Sequence, residues 1–203
     1  MAEVERETGA STMGVTGSRT ADLTDEDVEF LKSRTNYQEE TIREWYRGFK
    51  EDCPSGKVSK EKFAEMYKSL FERGDPRRFC HHVFRTFDAD GNGFVDFKEF
   101  LLAVAVTSGG SAEERLRWAF RVYDVDGDGF VRAEEMKKVL QSVYEMAGET
   151  PDGQTPEERT AALFRKMDSD RDGKLSREEF VSACLRDPGL LRLLEVDSVG
   201  PGC

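Results

Sequence analysis

Three stretches of the chain read alike: DADGNGFVDFKE from Asp88 to Glu99, DVDGDGFVRAEE from Asp124 to Glu135, and DSDRDGKLSREE from Asp168 to Glu179. Each places oxygen-bearing side chains first, third and fifth (Asp88, Asp90, Asn92; Asp124, Asp126, Asp128; Asp168, Asp170, Asp172) and a glutamate last (Glu99, Glu135, Glu179). That spacing suits a hard divalent cation. Alternate side chains deliver single oxygens, the backbone carbonyl of the seventh residue (Phe94, Phe130, Lys174) adds another, and the terminal glutamate closes the shell with two. Glycine at the sixth place (Gly93, Gly129, Gly173) permits the sharp turn this requires. The ninth residue varies. Asp96 and Ser176 can ligate directly or through water, whereas Arg132 offers no acceptor and is expected to tune its loop without abolishing it.

The pattern and its repetition match the EF-hand calcium loop. Each copy is framed in the same way, with Phe84, Phe120 and Phe164 four residues ahead and Phe100, Met136 and Phe180 directly behind. Val95, Val131 and Leu175 at the eighth place are the apolar residues of a short strand that pairs with a neighbouring loop. A fourth, degenerate copy lies upstream, with Gly56 sixth and Val58 eighth, which puts Glu51 first, Cys53 third, Pro54 fourth, Ser55 fifth and Lys62 last. This copy should not bind calcium. A thiol is a poor ligand for a hard cation, Pro54 restricts the backbone, and Lys62 sets a positive charge where the bidentate carboxylate belongs. Its hand is still needed as a partner for the second.

The expected fold is therefore all-α, four EF-hands in two pairs (one with two, three with four), with short two-stranded pairings between loops. Helix starts are signalled by Thr24 before Asp25, Glu26 and Asp27, and by Asn36 with Glu39, Ser111 with Glu114, and Thr155 with Pro156 and Glu158. Apolar residues recur with helical period at Ile42, Trp45, Tyr46 and Phe49, and again at Phe63, Met66, Tyr67, Leu70 and Phe71. Gly109 with Gly110, and the segment from Gly148 to Pro156, mark bends. The domains read as a flexible tail over 1–23, a first pair over 24–106 and a second over 107–203 that ends in a further helix.

Composition narrows the function. The 203 residues carry 30 basic and 41 acidic side chains, a net charge of -11, which argues against a nucleic-acid partner held through phosphates. Three bound calcium ions would offset about half of that charge. The longest apolar run, Phe100 to Val106, is seven residues, far short of the roughly 20 that span a bilayer. Cys53, Cys80, Cys184 and Cys203 lack metal or framework spacing, so they read as reduced thiols and the protein as cytoplasmic. No enzyme is expected, since His81 and His82 are adjacent, point to different helix faces and lack zinc-type spacing.

Several segments resemble the neuronal calcium sensors, especially the visinin-like, neurocalcin and hippocalcin branch. They are IREWYRGFKEDCPSG (Ile42 to Gly56), HVFRTFDADGNGFVDFKEF (His82 to Phe100), RWAFRVYDVDGDGF (Arg117 to Phe130) and DPGLLRLL (Asp187 to Leu194). The three complete loops predict three Ca²⁺ sites, open to Mg²⁺ at resting calcium, and the resemblance implies a noncatalytic calcium sensor. Its partner would be a target protein such as a kinase, cyclase, channel or lipid kinase. It also implies a groove for an amphipathic helix, lined by Trp45, Phe49, Phe63, Met66, Tyr67, Leu70, Phe71, Phe97 and Val104, with Trp45 foremost. The aromatic distribution agrees, because residues 1–106 hold 14 of the 21 aromatics. A cytosolic calcium buffer without a dedicated target is the alternative. The family begins Met-Gly and is acylated there, whereas this chain begins Met1-Ala2. Gly14 fits the signal within MGVTGS only if translation starts at Met13, so membrane contact is expected to be peripheral, reversible and conditional on acylation.

Overall fold

Reciprocal hydrogen bonds begin several of the helices. Thr24 accepts from the Asp27 amide while the Asp27 carboxylate accepts from the Thr24 amide, and Ser111 with Glu114 and Thr155 with Glu158 do the same. Each box satisfies amides that the first helical turn leaves without partners. In the computed structural model, which describes residues 22–68, 74–148, 150, 153–187, 189, 190 and 194, the elements run as follows. The first half holds α1 (Asp25–Arg34), α2 (Glu39–Asp52), β1 (Lys57–Ser59), α3 (Lys60–Lys68), α4 (Arg77–Phe87), β2 (Phe94–Asp96) and α5 (Phe97–Gly109). The second holds α6 (Ala112–Tyr123), β3 (Phe130–Arg132), α7 (Ala133–Ala147), α8 (Pro156–Met167), β4 (Lys174–Ser176) and α9 (Arg177–Arg186). Residues 1–21 of the expected tail, with Met13 and Gly14, lie outside the described residues, as do Leu70, Phe71 and Cys203.

One expected start moves. Asn36 does not cap α2, whose N-cap is Gln38 with no side-chain bond. Thr35 ends α1 by donating its amide and hydroxyl to the Leu31 carbonyl, and its hydroxyl oxygen then accepts from the Tyr37 amide. The connection is committed to that turn through Tyr37, which stacks on Trp45. The other bends fall as expected: Gly110 caps the end of α5, and Gly148 caps α7 in the left-handed conformation that a Cβ disfavours.

Two antiparallel strand pairs join the loops two by two. β1 meets β2 with Val58 opposite Val95, and β3 meets β4 with Val131 opposite Leu175. All four residues are buried. The core is built from the framing aromatics and their neighbours, with Phe79, Phe84, Phe87, Phe120, Met136 and Phe180 sealed from solvent. At the chain's far end Leu190 and Leu194 are buried, and the Tyr123 hydroxyl donates to the Leu194 carbonyl at 2.9 Å.

The two pairs meet along α4, which packs on α6 and α7. Ahead of α4 the chain presses its backbone against the end of α7, where the Asp75 amide donates to the Glu145 carbonyl at 2.9 Å. Gly74 makes this approach possible. It holds φ of +78°, and a Cβ there would lie 2.1 Å from the Met146 carbonyl oxygen. Gly74→Ala is therefore expected to lower the unfolding free energy by about 2 kcal/mol or more, read from urea denaturation. An unchanged midpoint would show that this approach contributes nothing to stability.

Candidate metal centres in the repeated loops

The loops from Asp88, Asp124 and Asp168 are called loops two, three and four, and the degenerate one loop one. Each of loops two to four gathers three carboxylates, with ligand atoms all within 4.8 Å of one another: Asp88, Asp90 and Glu99; Asp124, Asp126 and Glu135; Asp168, Asp170 and Glu179. Backbone amides hold the ring open. Asp88 Oδ2 accepts from the Gly93 amide at 3.0 Å, and Asp124 and Asp168 accept likewise from Gly129 and Gly173 at 3.1 Å. The third residue of each loop accepts from the amide of the fifth, and the fifth from that of the seventh, so Asn92, Asp128 and Asp172 are fixed above Phe94, Phe130 and Lys174.

The last glutamate spans its loop. Glu99 Oε1 accepts from the Ala89 and Asp90 amides at 2.9 and 3.3 Å, while its Oε2 accepts from the Asp96 amide at 3.0 Å. Glu135 repeats this with Val125, Asp126 and Arg132, and Glu179 with Ser169 and Ser176. Burial pushes the Glu179 carboxyl up, but these amides and the Ser176 hydroxyl outweigh it and hold it below its ordinary value. The ninth residues Asp96 and Ser176 accept from the Glu99 and Glu179 amides, so both cap exiting helices.

One oxygen in each loop stands apart. Asp88 Oδ1, Asp124 Oδ1 and Asp168 Oδ1 are buried and accept no hydrogen bond. Buried polar atoms are nearly always satisfied, and the same orphan at the first place of three loops matches the missing positive partner that a divalent cation would supply. The donor sets are all oxygen, as Ca²⁺ prefers. Burial raises the Asp124 carboxyl in keeping with this.

Arg132, the ninth residue of loop three, pairs with two of that loop's expected ligands, Asp128 at 2.6 Å and Asp126 at 3.4 Å. It holds the Asp128 carboxyl below its usual range. The sequence shows that Arg132 cannot ligate; its placement across the loop as a competing cation comes from the structure.

A left-handed residue also occupies the fourth place of each loop, Gly91 at φ +69°, Gly127 at +74° and Arg171 at +62°. Loop one has Pro54 there, and its ring confines φ near -65°. Loop one accordingly closes into a tight turn, with the Gly56 amide donating to the Cys53 carbonyl at 2.8 Å, and Cys53 is buried. Among the described residues no acidic cluster of the kind found in loops two to four forms there.

Beside loops one and two lies an apolar cavity of about 400 Å³. Phe49, Phe63, Met66 and Tyr67 line it, together with Val58, Phe87, Val95 and Phe100, and Asp52 and Lys62 reach it. Phe97 and Val104 are buried. Trp45 is 38% exposed and stands outside the lining, between Tyr37 at 6.0 Å and Phe100 at 6.2 Å between ring centroids. The helical period marks Phe49 to Tyr67, but Phe87 and Phe100 enter the cavity through the folding of loop two, where only their places immediately before and after the loop could have signalled them. Elsewhere, burial pushes the Cys80 and Cys184 thiols up to about 12, which keeps both protonated. His82 is half-buried in α4, and burial beside Arg85, His81 and Lys138 lowers it to about 4. Among the described residues no helix is long and apolar enough to cross a membrane.

Comparison with known proteins agrees with this geometry. A model of the EF-hand domain pair matches residues 113–185, and one of the EF hand domain matches residues 79–107. Neuronal calcium sensor 1 of Lymnaea stagnalis is 40% identical over 188 residues, 91% of this chain and 98% of that protein. Neuronal calcium sensor 1 of Aplysia californica is 41% identical over the same shares of each. With four hands, three oxygen-lined loops and relatives of this identity across almost its whole length, the chain belongs to the neuronal calcium sensor family.

Proposed function

We propose that the chain is a sensor that takes up three calcium ions, one each in loops two, three and four, and regulates a target protein through the apolar cavity of its first half. The observation that carries this reading is the unpartnered, buried Oδ1 of Asp88, Asp124 and Asp168, one per loop. The ligands are the first, third, fifth and twelfth side chains and the seventh carbonyls, with Asp96 and Ser176 contributing at the ninth place. Mg²⁺ holds the same oxygens at resting calcium. The working units are 24–106 and 107–203, and the occupant of the cavity is an amphipathic helix of the target. Its aromatic lining favours this over a buffer, which has no use for such a surface. Glu99 would offer both oxygens to an ion in loop two, and because it shares the first turn of α5 with Phe100, its recruitment would reposition α5 against the cavity that Phe100 lines.

Calorimetry is expected to return three ions per chain, and Glu99→Gln, Glu135→Gln and Glu179→Gln each to remove one of them. Three ions retained in all three variants would refute the assignment of the twelfth residue. Arg132→Ala is expected to tighten calcium at loop three, because the ion no longer displaces a guanidinium from Asp126 and Asp128; a weaker loop three would show that Arg132 supports the site. In a Trp118→Phe protein Trp45 is the sole tryptophan, and saturating calcium is expected to shift its emission as Phe100 moves. An unmoved spectrum, together with no calcium-dependent retention on a phenyl resin, would instead mark the protein as a buffer.

A further inference from the structure

Arg85 and Arg121 occupy equivalent places, each three residues ahead of its loop, in hands that belong to different strand pairs. Arg85 in α4 donates from Nη1 to the Asp124 carbonyl and from Nη2 to the Arg121 and Val122 carbonyls at 2.9 and 3.2 Å, so it caps the end of α6. Arg121 in α6 returns the contact, donating from Nη2 to the Thr86 carbonyl of α4 at 2.7 Å. The last carbonyls of a helix lack intrahelical donors and carry partial negative charge, which a cation satisfies. Among the described residues neither guanidinium has a carboxylate within ion-pairing distance, so carbonyls of the other hand are their anchors.

What these carbonyls belong to gives the exchange its consequence. Asp124 caps α6 and is also the first residue of loop three, and Thr86 lies two residues before Asp88, the first of loop two. A peptide fixed by Arg85 therefore carries the Asp124 carboxylate, and the peptide fixed by Arg121 lies in the last turn of α4, which leads into Asp88. Between the same helices Phe87 meets Trp118 edge-on at 6.3 Å. The ends of α4 and α6 are thus tied from both sides.

Resting on the calcium reading of these loops, we propose that Arg85 and Arg121 are positioning residues that couple loops two and three, so that an ion in either raises the affinity of the other. The strand pairs do not provide this link, since β2 joins β1 and β3 joins β4. Arginine suits the role because its planar fork presents donors from two nitrogens in a fixed geometry, whereas lysine donates from a single point.

The test is a thermodynamic cycle in the full chain carrying Glu179→Gln, which leaves loops two and three. Calcium binding is measured by calorimetry with both loops intact, with Glu99→Gln and with Glu135→Gln. The product of the two constants with both loops intact is expected to exceed the product of the single-loop constants about fivefold or more, within the usual range of coupling between sites. Adding Arg85→Met and Arg121→Met should bring that ratio near one while the single-loop constants stay close to their values. Arg121→Met alone, which removes a single hydrogen bond and keeps the calcium-free fold by circular dichroism, should lower the ratio as well. A ratio near one in the arginine-bearing chain, or one that survives both substitutions in a folded protein, overturns the coupling. Failure of either single-loop protein to bind calcium overturns the loop assignment itself and the coupling with it, and is distinguished by the absent heat.

Discussion

Everything in a hand hangs on one carboxylate that faces two ways. Glu99 takes the amides that open loop two with one oxygen and the amide that begins α5 with the other, and Glu135 and Glu179 do the same in their loops. A single side chain thus ties the start of each loop to the helix that leaves it. Bidentate coordination of a calcium ion by this carboxylate would use both of those oxygens. Each oxygen has two lone pairs, so one carboxylate can keep its amides and also meet an ion, and that shared use is what would give the loop leverage over the helix that leaves it.

That leverage is useful only if the loops stay in pairs. Val58 opposite Val95 shows how the degenerate loop earns its place: its third and twelfth positions are spent on Cys53 and Lys62, but its eighth residue still seals the strand pair. Pro54 matters through its backbone. The other loops require a left-handed residue at that point, and proline cannot supply one. Loop one is shaped as a scaffold for loop two, and its helices supply Phe49, Phe63, Met66 and Tyr67 to the cavity.

The cavity and the second pair are connected through rings. Trp45 touches Phe100, Phe100 touches Phe87, and Phe87 touches Trp118 of α6, at centroid separations of 6.2, 6.5 and 6.3 Å. Phe87 and Phe100 bracket loop two, so a displacement there would meet both an exposed tryptophan and the junction between the pairs. Close-packed interiors transmit such displacements because they leave little room to absorb them.

The sequence by itself determined whatever is settled within a dozen residues. Ligand spacing, the glycine turn, the capping pairs at Thr24, Ser111 and Thr155 and the incapacity of loop one follow from bond geometry and side-chain chemistry along a continuous stretch. Asn36 shows where that reach ends, since Thr35 and the stacking of Tyr37 on Trp45 displaced a locally sound cap to Gln38. Only the tertiary structure decided which aromatics line the cavity and which, like Phe97, are sealed beneath it. It alone set Gly74 against the end of α7, laid Arg132 across its own ligands and crossed Arg85 with Arg121. Those contacts depend on how helices cross and how far a long side chain extends, and neither is written in the periodicity of a segment read alone.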